Sequence, residues 1–169
     1  MSLKAKHDAL YEETRQVLSD SGARYIVELV RILASQVGKQ KTIELIKAFR
    51  YEPHVIRGRE SAEKLGKPRD LSTFLEEYFT KAMAAIPVVE PVKFTERREN
   101  RAVCYVDWYC PGKALARFVG EDKELQEIFK EAWCRHDVAF CEGFNPDIKM
   151  SITKIFYDGD DRCEFTMEL

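Results

Sequence analysis

The chain has 169 residues, 45% of them hydrophobic, which is enough for one domain of ordinary size to bury a compact core. Its 27 basic and 29 acidic residues leave a formal net charge of -2, which argues against nucleic-acid or anionic membrane partners. No apolar run approaches the roughly 20 residues of a membrane span, and the first residues show no secretory signal pattern. We therefore expect a cytoplasmic protein.

The first 87 residues predict helices. Apolar residues with helical spacing run from Leu10 to Leu18, and we expect that helix to end near Ser19 to Gly22. A second helix should end at Gly38, and Pro53 should kink or divide the third. Asp70 is a candidate N-cap of the next helix. The apolar stripe predicted to face the core in the second helix consists of Tyr25, Ile26, Leu29, Val30, Leu33 and Val37.

From residue 88 onward the apolar period becomes mostly alternating, which predicts strands. A first hairpin has turn residues at Glu99 and Asn100, and its second strand runs from Ala102 to Cys110. One amphipathic helix is predicted from about Asp122 to Phe140. A second hairpin follows, with its turn at Asp158-Gly159-Asp160.

Together these elements predict a single α+β domain over residues 1–169. The helices of residues 1–87 pack beside an antiparallel sheet of about four strands in two hairpins, with a helix between the hairpins. The hairpin-helix-hairpin part, residues 88–169, carries the candidate site.

Five cysteines, none before position 104, are the first sign of that site. An odd number argues against a disulfide framework and favours reduced thiols. Cys110 ends a strand just before the predicted helix, and Cys163 opens the last strand just after a tight turn. Both are therefore expected to approach the helix from the sheet.

Cys134, Asp137, Val138 and Cys141 have the spacing of one helix face, so a thiol and a carboxylate are expected side by side. Their neighbour His136 is a candidate base or ligand, and equally an ordinary surface histidine. A cysteine is also often buried as a small hydrophobic residue, which is the structural alternative for each thiol. Zinc is the remaining alternative, although no Cys-x-x-Cys pair is present.

The C-terminal motifs resemble the family named for L-2-amino-thiazoline-4-carboxylic acid hydrolase. The resemblance covers roughly Cys104 to Leu169. Its motifs are Tyr109-Cys110-Pro111, Trp133-Cys134-Arg135-His136-Asp137, Asn145-Pro146 and Gly159-Asp160-Asp161-Arg162-Cys163-Glu164-Phe165.

This resemblance implies hydrolysis of a small cyclic C=N compound, in which a thiazoline ring opens to a carbamoyl-cysteine product. The matched positions imply four catalytic residues, Cys110, Cys134, Asp137 and Cys163. Arg135, His136 and Lys154 are the cations available to activate a thiol or to bind substrate. No cofactor is implied beyond the zinc alternative.

A different class stays open, because the last hairpin is also similar to the 4-vinyl reductase type of small-ligand-binding domain. Such a domain acts as a sensor or carrier, and its thiols line a pocket or hold a metal. The partner in either case is a small molecule. The predicted helices Tyr25 to Val37 and Leu71 to Met83 are apolar enough to supply both a core face and a self-associating surface, so a homo-oligomer is a further expectation.

Overall fold

A computed structural model describes residues 3–82, 92–106 and 111–169. The chain is an α+β protein, as predicted, with helices beside a four-stranded antiparallel sheet. None of the described helices is both long and apolar enough to span a lipid bilayer.

The described part of the helical half consists of four α-helical and two π-helical segments. Its elements are α1 (Leu3–Val37), α2 (Lys39–Ile46), π1 (Lys47–Tyr51), α3 (Glu52–Leu65), α4 (Leu71–Phe74) and π2 (Leu75–Ala82). The end expected near Ser19 to Gly22 is wrong, since α1 continues to Val37. Gly38, with φ of 80°, ends it as predicted, and Pro53 lies in the first turn of α3 directly after π1. The Asp70 carboxylate caps α4 by accepting the Thr73 N–H at 2.7 Å.

The sheet joins two hairpins through their inner strands. The strands are β1 (Lys93–Arg97), β2 (Arg101–Val106), β3 (Lys149–Lys154) and β4 (Cys163–Glu168), in the order β1-β2-β4-β3. In the β2–β4 pair, Cys104 lies opposite Phe165 and Val106 opposite Cys163. These four side chains are buried, because alternate residues of a strand share one face and this face of β2 and β4 packs on the core.

The region between the hairpins differs from the prediction of one helix from Asp122 to Phe140. It consists of α5 (Pro111–Val119), α6 (Lys123–Ile128), π3 (Phe129–Trp133) and α7 (His136–Phe144). The Cys134 N–H donates to the Phe129 carbonyl, a wider turn than that of an α-helix. Cys134 and Arg135 then have ψ near 0°, which ends one helix and starts another.

The face of α1 that packs on the core overlaps the predicted stripe only in part, because Val30 belongs to both and Ile26 and Leu33 are half-buried. Ala23, Val27 and Val30 are buried, whereas Tyr25 and Leu29 are exposed. Both sets have helical spacing, so periodicity alone does not decide which set faces the protein.

Helices α3 and α7 pack unusually closely because a glycine lies on each. A Cβ atom at Gly143 would lie 2.0 Å from the Val55 carbonyl oxygen, and one at Gly58 would lie 2.1 Å from the Phe140 carbonyl oxygen. Both distances are far below van der Waals contact, so a side chain at either position would force the helices apart.

We predict that Gly143→Ala lowers the free energy of unfolding by about 3 kcal/mol, because backbone atoms of α3 must move. This loss outweighs the gain of about 1 kcal/mol that alanine brings to a helix. Urea unfolding measures the difference. The control is Glu63→Ala on exposed α3 surface, which should change stability by less than about 0.5 kcal/mol. Equal stability of Gly143→Ala and the control would contradict the close packing.

Candidate functional site

The three π-helical segments and α7 surround one cluster of polar side chains. π1 contacts both π3 and α7, and α3 packs along α7. A π-helical turn inserts one residue into a helix, and such insertions are frequent at functional sites because they redirect side chains. The cluster consists of Arg50, His54, Tyr78, Trp133, Cys134, His136 and Asp137.

Asp137 is the centre of this cluster. It lies in the first turn of α7 and is only 5% exposed. The Tyr78 hydroxyl, on π2, donates to Asp137 Oδ1 at 2.5 Å. Burial and the neighbouring Asp137 raise the pKa of Tyr78 well above its ordinary value, so the phenol remains a donor. The Tyr78 ring stacks on Phe140 at 4.3 Å, which fixes its direction.

One histidine lies beside the carboxylate, and a second histidine lies against the first. His136 Nε2 is 3.4 Å from Asp137 Oδ1, and His136 Nδ1 lies 3.2 Å from the Trp133 carbonyl oxygen. His54 Nδ1 lies 2.6 Å from the Arg50 carbonyl oxygen, and the two imidazole rings meet edge to face at 5.2 Å. Burial lowers the pKa of both rings, which favours their neutral forms at neutral pH.

Arg50 supplies the positive charge of the cluster. Its Nε donates to the Trp133 carbonyl oxygen at 3.0 Å, and its guanidinium carbon lies 4.3 Å from the centre of the Trp133 ring. Burial lowers the pKa of Arg50, while the charge of Asp137 opposes that shift. In the described residues, no hydrogen bond uses its two terminal nitrogens. A guanidinium anchored at one edge in this way retains two parallel donors that suit a carboxylate.

Two cysteines behind the cluster are buried structural thiols. Cys104 on β2 is fully buried, and burial, then the charge of Asp137, raises its pKa well above the ordinary value. Cys141 on α7 donates weakly to the Ile148 carbonyl oxygen at 3.8 Å, and burial raises its pKa to about 12. Both thiols are therefore poor nucleophiles at neutral pH.

The structure describes two of the three cysteines that the sequence assigned to catalysis. Cys134 lies in the turn before α7, partly exposed, and its charge interacts with that of Arg50. It shares no continuous helix with Asp137, so the predicted single face from Cys134 to Cys141 is wrong. Cys163 is buried at the start of β4. Cys110 falls outside the described residues.

The three predicted cations lie in different places. His136 belongs to the cluster. Arg135 is exposed and borders an open surface groove of about 450 Å³, whose other lining residues are Lys47, Tyr51 and Glu131. Lys154 lies at the end of the edge strand β3, where its ammonium is 4.0 Å from a Glu164 carboxylate oxygen. Within the described residues, Lys154 forms no ion pair or hydrogen bond with Asp137.

Sequence reasoning missed Arg50, Tyr78 and Cys104 near Asp137, and it missed His54 beside His136. One usable signal was Tyr78, because a tyrosine on a broad apolar helix face needs a partner for its hydroxyl. Arg50 and His54 gave no signal, since each lies among other charged residues along its helix.

Zinc finds no ready site in what is described. Over residues 3–82, 92–106 and 111–169, no group of three or more His, Cys, Asp or Glu side chains is placed to hold a metal ion. His54 and His136 each have one ring nitrogen next to a carbonyl oxygen. The carboxylate of Asp137 lies beside His136.

The sequence model of the family described as L-2-amino-thiazoline-4-carboxylic acid hydrolase matches residues 19–167. The chain belongs to this family. The match extends far beyond the C-terminal motifs and includes the helices that carry Arg50, His54 and Tyr78. No curated protein matches the chain.

Solved structures similar to this family member share its fold at low sequence identity. One is a trafficking protein particle complex subunit 3 from Naegleria fowleri, covalently bound to palmitic acid, with a TM-score of 0.56 and 14% identity over 91% of this chain and 96% of that chain. Another is the phenol-responsive sensory domain of the transcription activator PoxR with phenol, with a TM-score of 0.54 and 14% identity over 86% of this chain and 73% of that chain.

We predict that Tyr78→Phe lowers the free energy of unfolding by about 1–3 kcal/mol, because it leaves the buried Asp137 carboxylate without its donor. Chemical unfolding at pH 7.5 measures this loss. The matched control is Tyr51→Phe, which removes an exposed hydroxyl that donates to Glu142 at 2.5 Å. Tyr51→Phe should lower the free energy of unfolding by less than about 1 kcal/mol. Equal decreases in the two variants would contradict the importance of burial for the bond to Asp137.

The lowered pKa values of His54 and His136 predict an acid-sensitive fold. Protonation costs the folded state more than the unfolded state, so stability is complete above about pH 6.5 and decreases as the pH falls below it. We expect the double variant His54→Gln/His136→Gln to lose less stability than the wild type between pH 7.5 and pH 5.5. Parallel pH dependence of the two proteins in urea unfolding would contradict this origin.

Proposed function

We propose that the protein hydrolyses a small cyclic amidine of the aminothiazoline carboxylate type, with Asp137 as the residue that moves the proton. Family membership supports the reaction class. The observation that carries the proposal is a buried carboxylate fixed by a tyrosine hydroxyl, beside a neutral histidine. The charge of Arg50 acts on the same carboxylate, and its terminal nitrogens make no hydrogen bond to the other described residues. Ionisable groups placed against one another in a dry site are typical of acid–base catalysis.

The reaction requires water to add to the ring carbon between nitrogen and sulfur. A base removes one proton from that water, and the ring nitrogen takes up a proton. The C–S bond then breaks as the added oxygen loses its remaining proton to form the carbonyl, and the leaving sulfur takes up a proton. For the aminothiazoline carboxylate that names the family, the product is a carbamoyl-cysteine, and no oxidant or reductant is consumed. A positioned base and acid contribute roughly 10²- to 10⁴-fold to such a step.

Asp137 suits the role of base because its two oxygens have different surroundings. Tyr78 and His136 both lie at Oδ1. None of the described residues donates a hydrogen bond to Oδ2, so this oxygen is the one available to a water molecule. Tyr78 thereby acts as a positioning residue, and the neutral His136 is placed to carry the proton from Asp137 toward the leaving group.

Arg50 suits the role of carboxylate binder. Its guanidinium is held by Trp133 on one edge and one face, so little mobility is lost when its other edge binds a planar anion. Arg135, proposed from the sequence for the same task, lies on the groove at the surface with Lys47. We assign Arg135 to the approach of an anionic substrate and Arg50 to its binding.

A thiolate nucleophile is the second form of the same mechanism. Cys134 is the cysteine whose charge interacts with Arg50, and a nearby cation favours the thiolate. In this form the thiolate attacks the ring carbon, the ring C–S bond breaks, and the leaving sulfur takes up a proton, which leaves an isothiourea on the cysteine sulfur. Water then adds to the same carbon and the bond to the cysteine sulfur breaks, which releases the carbamoyl-cysteine and restores the thiolate. Cys110 and Cys163 stay proposed catalytic residues of this form.

Turnover of L-2-amino-thiazoline-4-carboxylate by purified protein tests the proposal. We expect Asp137→Asn to lower kcat by at least about 100-fold, and Arg50→Lys to raise KM by about 10-fold or more with a smaller effect on kcat. The matched control Asp147→Asn changes an exposed carboxylate of the same part of the chain and should leave both constants unchanged. Wild-type activity in Asp137→Asn would contradict the role of this residue.

Serine variants of Cys110, Cys134 and Cys163 separate the two forms of the mechanism. Activity that survives all three substitutions supports direct attack by water. Loss of activity in Cys134→Ser alone, together with rapid alkylation of that thiol at neutral pH, supports the thiolate form.

Non-catalytic ligand binding is the second candidate function. The fold likeness to a sensory domain solved with phenol, and to a trafficking subunit that carries palmitic acid, favours a small-molecule pocket in this architecture. Absence of turnover with any cyclic amidine, combined with saturable binding of the aminothiazoline carboxylate by calorimetry, would support this function over hydrolysis.

A further inference from the structure

Helix α1 is apolar on two opposite sides. One side packs on the protein through Ala23, Val27 and Val30. The other side consists of four side chains that remain 60–78% exposed: Leu18, Tyr25, Leu29 and Ile32. At about 100° per residue, these four lie within an arc of roughly 60° directly opposite the core face. We call them the outer stripe.

The outer stripe has the spacing of a helix that packs on another helix. Leu18, Tyr25 and Ile32 are seven residues apart, and Leu29 lies four residues after Tyr25 and three before Ile32. This heptad pattern is typical of coiled-coil seams. Scattered exposed apolar residues are ordinary on a protein surface, whereas a continuous stripe marks an interaction site.

We propose that the outer stripe is the seam of a homodimer in which α1 pairs antiparallel with α1 of a second copy. The two-fold axis crosses the seam midway between Tyr25 and Leu29. Tyr25 then packs against Leu29 of the partner subunit, and the small Gly22 accommodates Ile32 of the partner subunit. A two-fold axis places the same surface on both copies, so the stripe must be complementary to itself.

The charges beside the stripe meet this condition. Glu28 and Arg31 lie on the same flank of α1 and form an ion pair at 2.5 Å, and Arg24 lies one turn before Glu28. In an antiparallel pair this flank faces the same flank of the other copy. Glu28 then lies within reach of Arg24 of the partner subunit, and both signs are present on each side.

The shape beside the stripe provides further contact. A groove of about 590 Å³ runs between α1 and α5, lined by Asp20, Ser21, Arg24, Tyr25, Glu28 and Phe118. The four stripe residues and the groove walls form one continuous exposed surface. Because a stable interface covers roughly 800 Å² per partner, the contact must extend beyond the stripe into this groove.

A second copy fits better than a lipid surface. Interfacial helices that lie on membranes have Lys and Arg along the polar flank. The flank of α1 carries Glu28 between Arg24 and Arg31, which suits a protein surface of mixed charge.

Sedimentation equilibrium over about 1–100 µM tests the dimer in the intact protein. We expect the wild type to form a dimer and Leu29→Glu to weaken the association at least about 100-fold. The control Phe49→Glu replaces an equally exposed apolar residue, 73% exposed, on a different helical segment and should leave the dimer intact. Circular dichroism confirms that each variant is folded, which is expected because the stripe is outside the core.

The antiparallel register has its own test. Glu28→Arg should weaken the dimer, and the double variant Glu28→Arg/Arg24→Glu should restore it, because the charges are exchanged on both copies. A monomeric wild type at 100 µM, or an association that Leu29→Glu leaves unchanged, would overturn the proposal. So would monomers that bind neutral or anionic phospholipid vesicles through the stripe.

Discussion

The contact between α3 and α7 is the constraint on which the candidate site depends. Gly58 and Gly143 allow the backbones of the two helices to approach until a single Cβ atom would not fit. This approach brings His54, near the start of α3, against His136, at the start of α7, with ring centres 5.2 Å apart. A larger separation would expose Asp137 to water and remove the low dielectric that strengthens its interactions.

The three π-helical segments supply further side chains of the cluster. Each shifts the helix face by part of a turn, so that Arg50, Tyr78 and Trp133 point into the same space although they lie on three different segments. The hydrogen bonds of Asp137 and the stacking of Tyr78 on Phe140 then hold the geometry. A buried polar group of this kind is costly unless its partners are fixed, so the cluster is rigid for the same reason that it is chemically useful.

The family and the solved structures give different information about this arrangement. The family match includes the segments that form the cluster, and the fold likeness extends to proteins with other ligands. Fold alone does not fix function, since function depends on the side chains placed on it. The polar cluster, rather than the fold, is therefore the basis of the proposed hydrolysis. The outer stripe on α1 is a separate feature and leaves the cluster unaffected.

The sequence by itself determined the α+β class, the two hairpins, the helix end at Gly38 and the family. These follow from local periodicity, turn residues and a short motif, which neighbouring residues encode. The tertiary structure alone decided that α1 turns Val27 rather than Tyr25 to the core and that the helix breaks at Cys134. It also decided that Tyr78 bonds Asp137, that the charge of Arg50 interacts with that of Asp137, and that His54 lies against His136. Contacts between residues 59 or more positions apart, such as Tyr78 and Asp137, depend on how helices cross. A repeat of 3.6 residues specifies a helix face but not the neighbour that covers it.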